Sequence, residues 1–135
     1  YVARVALGAD PQQTLLALRE AEAYAGPSLV IAYCPCIAHG IDMRQALHQA
    51  ELAVHSGYWP LFRYNPAVRS SGENPFVLDS VQPRIALRDF FEHELRYQLL
   101  NQDRSPEAAR LLQQAETAVQ RRWQTYVDLA TRTHS

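Results

Sequence analysis

Tyr1 to Leu7 alternates aromatic, aliphatic and small residues, with Val2 and Val5 among them, so the chain is expected to open on a strand that ends at Gly8-Ala9. Asp10 followed by Pro11 is a helix start: the carboxylate caps free amides, and proline at the first helical position gives up no hydrogen bond. The helix should run to about Tyr24, with Leu15, Leu18 and Ala21 as its apolar stripe and Arg19, Glu20 and Glu22 mostly off it, before Ala25-Gly26-Pro27 stops it. The unbroken apolar run Ser28–Tyr33 predicts a strand buried on both faces, as in a parallel sheet. Strand, helix and strand in so short a span make a right-handed βαβ unit.

Asp42 is placed to cap a helix of about Met43 to His55, which Gly57 ends. Tyr58 to Tyr64 is an aromatic-rich strand closed by Asn65-Pro66. Residues 67–75 are polar and turn-rich, Phe76–Asp79 predicts a short strand, and from about Leu87 the pattern is helical. Ser105-Pro106-Glu107 supplies a cap, a first-turn proline and an acid at the positive end of the helix dipole. Leu112, Ala115, Val119, Trp123, Tyr126 and Ala130 follow at helical spacing as one apolar stripe. The expected architecture is α/β: a partial parallel sheet over residues 1–66, then an α-helical extension over 67–135.

Composition changes this picture little. With 135 residues, 47% hydrophobic and 20% charged, the chain fits one globular domain. A formal net charge of −1 gives no footprint for nucleic acid or acidic lipid. All 13 basic residues are arginine, which excludes a Schiff-base or P-loop lysine from this stretch. No run approaches the roughly 18 apolar residues of a membrane span. The chain opens without Met, inside a strand and with no export signal, so a piece of a longer cytoplasmic protein is expected.

Chemistry concentrates at Cys34-Pro35-Cys36-Ile37-Ala38-His39-Gly40, which follows the carboxyl end of the second strand, where open α/β sheets place ligands. A disulfide across one residue is strained, and a close cysteine pair in the cytosol points to metal or redox chemistry, although a free structural thiol is the default for any single cysteine. His48, Glu51 and His55 share a helical face, better read as solvated than as metal-binding. Tyr58, Trp59, Phe62 and Tyr64 suit core packing, and Arg121-Arg122 a solvated patch or subunit contact.

Several segments, in order and with the right gaps, resemble the end of the thiamine-diphosphate domain of pyruvate:ferredoxin (flavodoxin) oxidoreductases. They are Tyr1–Ala9, Glu20–Tyr24, Gly26–Leu29, Ile31–Tyr33, Pro35–Ile41 and Gly57–Pro66; Asn74-Pro75-Phe76 and Arg121-Arg122-Trp123 resemble the C-terminal tail less specifically. The resemblance implies an enzyme that converts pyruvate and coenzyme A to acetyl-CoA and carbon dioxide. It uses thiamine diphosphate with Mg²⁺ and passes electrons through [4Fe–4S] clusters to ferredoxin or flavodoxin. It also implies a homodimer, and that Cys36 is the last ligand of the cluster nearest the thiamine. His39 would then bond a cluster sulfide or fix the loop. At the position of Cys34 the family more often has a small residue; Cys34 is expected to be a buried or neighbouring thiol, the alternative being that it replaces Cys36 as ligand. The thiamine and Mg²⁺ motifs and the other cluster cysteines are expected outside this chain, which alone should carry no catalytic residue and no activity. The rival readings are a stand-alone α/β interaction or thiol module, and an oxidoreductase for another 2-oxo acid.

Overall fold

Pro11 begins the first helix because Asp10 prepares it: its Oδ1 accepts from the Gln13 amide at 2.8 Å. In the computed structural model, which describes residues 1–102 and 105–132, the order is β1 (Val2–Val5), α1 (Pro11–Ala23), β2 (Leu29–Ala32), α2 (Ala46–His55), β3 (Phe62–Tyr64), β4 (Phe76–Leu78), α3 (Leu87–Phe91), α4 (Leu95–Gln102) and α5 (Pro106–Thr131). The class is α/β, as expected. Of the helical extension expected over 67–135, residues 103–104 and 133–135 lie outside the described residues.

The strands form one sheet in the order β2-β1-β3-β4. β1 and β2 are parallel, with Val2 opposite Leu29 and Val5 opposite Ala32, which is the pairing the βαβ unit predicts. β3 and β4 add to the other side of β1 antiparallel, Arg4 opposite Phe62 and Tyr64 opposite Phe76, so the sheet is mixed. Two turns of 3₁₀ helix, Ile37–His39 and Met43–Gln45, precede α2, and Asp42 caps the second by accepting from the Arg44 amide.

Three expectations change. β2 is not buried on both faces: it is the outer strand, and Leu29 and Ile31 are 56% and 39% exposed because nothing in the described chain covers them. The stripe of α1 faces the core only at Ala21, which packs against the Tyr1–Ala17 cluster: Leu15 and Leu18 are 52% and 51% exposed, and the helix buries Gln13, Thr14 and Ala17. Hydrogen bonding turns it that way, since Gln13 Nε2 donates to Asp79 Oδ2 at 2.8 Å and Glu20 pairs with Arg63 at 2.5 Å. The strand at Tyr58–Tyr64 shortens to its last three residues. Gly57, at φ +76°, turns the chain back so that the Trp59 amide donates to the Ala53 carbonyl, and Tyr58–Leu61 wraps the end of α2.

The core lies mainly between α2, α3 and α5. Ala53, Leu87, Phe90, Phe91 and Val119 are buried together, with Tyr58, Tyr97, Leu112 and Ala115 packed on them. A second cluster joins Tyr1, Ala3 and Val5 of the first strand to Ala17. Phe62, Phe76 and Tyr126 pack ring to ring at centroid separations of 5.2 to 5.9 Å, Phe76 stacked on Tyr126, and bind α5 to the sheet. Among the described residues no helix is long and apolar enough to cross a membrane.

Candidate functional site

β2 delivers the chain to the cysteine loop. The Tyr33 amide donates to the Val5 carbonyl, one residue past the ladder, and the backbone then leaves the sheet through Cys34-Pro35-Cys36. Cys36 is extended (φ −125°, ψ 132°) and its carbonyl accepts from the His39 amide at 2.9 Å, which starts the 3₁₀ turn. Gly40 ends that turn at φ +72°, and a Cβ there would stand 2.2 Å from Leu95 Cβ, so only glycine fits.

Both cysteines are free thiols. Cys36 is half-buried, whereas Cys34 is exposed, so of the two expectations for it a buried thiol does not hold; it lies past the end of β2, the outer strand of the sheet. Cys34 Sγ lies 3.7 Å from the Pro35 carbonyl oxygen, while no hydrogen bond from the described residues engages Cys36 Sγ. The loop therefore offers one partly sheltered sulfur donor, beside the strongly exposed Ile37 (75%).

The junction between α3 and α4 meets this loop, a relation that sequence reading did not find. Glu94 is fully buried. Its Oε1 accepts from Tyr33 Oη and from Gln49 Nε2, each at 3.1 Å, and its Oε2 pairs with Arg96 Nε. Arg96 Nη1 lies 3.4 Å from His39 Nε2. Arginine has only donors, so in this contact any hydrogen bond runs from the guanidinium to the ring nitrogen. The Tyr33 phenol is pushed above its usual range, first by burial and then by the Glu94 charge and hydrogen bond. In Arg96, burial is outweighed by the Glu94 hydrogen bond and charge, and its pKa is raised.

The remaining candidates are structural. On α2, Glu51 lies 3.4 Å from His48 and 3.8 Å from His55, and His55 also meets Arg84 Nη2 at 2.8 Å. Burial, then the Arg84 charge, lowers the His55 pKa. No group of three or more His, Cys, Asp or Glu side chains among the described residues is arranged to hold a metal ion. Arg121 is exposed, but Arg122 is not part of a solvated patch: it donates to the Tyr58 carbonyl at 2.7 Å and ties α5 to the aromatic turn.

No family model matches the chain. Among curated proteins, it is 48% identical over 130 residues to a pyruvate:ferredoxin oxidoreductase of Moorella thermoacetica, covering 96% of this chain. It is 46% identical over 132 residues to pyruvate-flavodoxin oxidoreductases of Nostoc sp. and of Klebsiella pneumoniae, covering 98% and 96% of this chain. This stretch of sequence belongs to the pyruvate:ferredoxin (flavodoxin) oxidoreductase family. It spans about 11% of the length of these relatives, so it corresponds to one segment of a far longer polypeptide in them.

Proposed function

We propose that the chain works as the C-terminal segment of a pyruvate:ferredoxin or flavodoxin oxidoreductase, in which Cys36 supplies one thiolate to a [4Fe–4S] cluster. The observation that carries the reading is the Cys36 loop: a half-buried free thiol, with no hydrogen bond among the described residues, at the start of a short turn beyond the carboxyl end of a parallel strand. A cubane needs four ligands, and they are commonly drawn from distant parts of a chain. This segment holds two cysteines, so at least two ligands come from elsewhere in the polypeptide. Such a cluster, when bound, accepts and passes on one electron at a time.

The enzyme as a whole would take pyruvate and coenzyme A to acetyl-CoA and carbon dioxide and deliver two electrons to ferredoxin or flavodoxin, as a cytoplasmic homodimer. The described side chains offer no set suited to Mg²⁺, and no part in holding thiamine diphosphate is assigned to them. The 135-residue chain on its own is expected to oxidise no pyruvate.

The test is made on the full-length protein, expressed anaerobically as wild type, Cys36→Ala and Cys34→Ala. Cys36→Ala is expected to lose about four iron atoms per chain, together with one reduced-state EPR signal and pyruvate-dependent acceptor reduction. Cys34→Ala should keep all three. Unchanged iron and activity in Cys36→Ala would remove it as a ligand, and the reverse pattern would hand the role to Cys34.

A further inference from the structure

We infer that Glu94 and Arg96 are positioning residues that hold the Cys36 loop from both sides. The inference rests on the reading of Cys36 as a cluster ligand, and deepens it. The buried Glu94 carboxylate reaches Tyr33, the last residue before the cysteines, through one oxygen and Arg96 through the other. Arg96 extends that hold to His39, three residues after Cys36, and His39 is itself tied to the Cys36 carbonyl by its own amide. Between them, Leu95 fills the space that the missing side chain of Gly40 leaves. Three consecutive residues thus reach the loop's entry and its exit.

The arrangement is costly unless it serves something. A fully buried carboxylate is retained only when its oxygens are occupied, and here both are, by a phenol, an amide and a guanidinium. An apolar residue would fill the same space without this requirement. What an apolar residue cannot do is orient an arginine toward His39. Groups that fix a ligand without touching the metal typically govern metal affinity by about 10- to 100-fold, and this clamp is expected to act in that way on a thiolate ligand.

The test uses the full-length protein with all clusters assembled anaerobically, in the variants Arg96→Gln, Glu94→Gln, His39→Ala and His39→Gln. The readout is the rate at which iron passes to a chelator, followed with the reduced-state EPR spectrum and circular dichroism. Glutamine at 96 can still donate a hydrogen bond to the buried Glu94 carboxylate, and circular dichroism shows whether Arg96→Gln folds like wild type; His39→Ala, which leaves the ion pair intact, carries the test if it does not. About four iron atoms per chain should be released about 10- to 100-fold faster in Arg96→Gln and His39→Ala, with one EPR signal altered and the rest unchanged. His39→Gln keeps an acceptor for Arg96 and should restore most of the slow release. A folded Arg96→Gln with wild-type release and EPR overturns the inference, and so does acceleration spread equally over all clusters, which is general loosening. If Cys36→Ala itself keeps its iron, the reading of Cys36 fails; if that variant loses a cluster while Arg96→Gln is silent, only the clamp fails.

Discussion

Gly40 and Gly72 share a left-handed backbone, at φ +72° and +77°, and differ sharply in what surrounds them. A methyl group at Gly40 meets Leu95 Cβ at 2.2 Å, while one at Gly72 meets nothing within 4 Å. Either alanine carries the left-handed strain of about 1–2 kcal/mol, but only Gly40→Ala must push the cysteine loop off the α3–α4 junction. In the full-length protein, Gly40→Ala is expected to lower iron by up to one cluster's worth, about four atoms, and Gly72→Ala to leave it unchanged. Equal iron in the two variants would show that the loop tolerates the displacement. Here the sequence was legible in part. The strand before Cys36 and the cap at Asp42 follow from local residue types, whereas the 3₁₀ turn at Ile37–His39 was not expected. The junction that packs against the loop does not follow from them either, because Arg96 stands 57 positions from His39 and has no periodic signal linking the two.

Helix starts were the most legible elements, since a cap is a local bond: Asp10 and Ser105 both accept the amide three residues on, at 2.8 and 3.1 Å. Which face a helix buries was less so. The apolar stripe of α5 does turn inward, with Val119 buried and Leu112, Ala115 and Tyr126 packed against neighbours. The leucines of the α1 stripe turn out, and only Ala21 packs inward, because polar partners of Gln13 and Glu20 fix the helix's rotation. The far end of α5 depends on one side chain. Asn74 Nδ2 donates to the carbonyls of Leu129 and Ala130, both at 2.9 Å, and Asn74 Oδ1 accepts from the Phe76 amide. These carbonyls belong to the last turn, which lacks intrahelical donors. Asn74→Ala should cost about 1–3 kcal/mol and unfasten that turn from β4. Amide exchange in residues 127–131 should accelerate, while the first turn of α5 keeps wild-type protection. Unchanged exchange at 127–131 would mean that the contacts of Tyr126 with Phe62 and Phe76 hold the helix end alone.

At the scale of the whole molecule, two apolar faces have nothing against them within the described chain: the outward side of α1, with Leu15, Leu16 and Leu18, and the outer strand β2, with Leu29 and Ile31. Isolated exposed leucines are ordinary, but a helix face adjoining an open parallel strand edge is the geometry by which a sheet continues. The relatives carry about nine-tenths of their length outside the matched segment, so the remaining polypeptide is the natural cover. The sign of a mutation separates a covered face from a wet one. In the 135-residue chain, Leu15→Gln with Leu18→Gln removes exposed apolar surface and should change stability by no more than about 0.5 kcal/mol per site, while reducing self-association. In the full-length protein the same pair should cost about 1.5–3 kcal/mol per leucine, if each is fully buried there. The measurements are sedimentation of the short chain and thermal unfolding of the long one, compared between wild type and the double variant. Destabilisation confined to the full-length protein means the rest of the polypeptide covers α1. Indifference in both makes that face solvent-exposed, and the continuation of the fold must then run from the β2 edge alone.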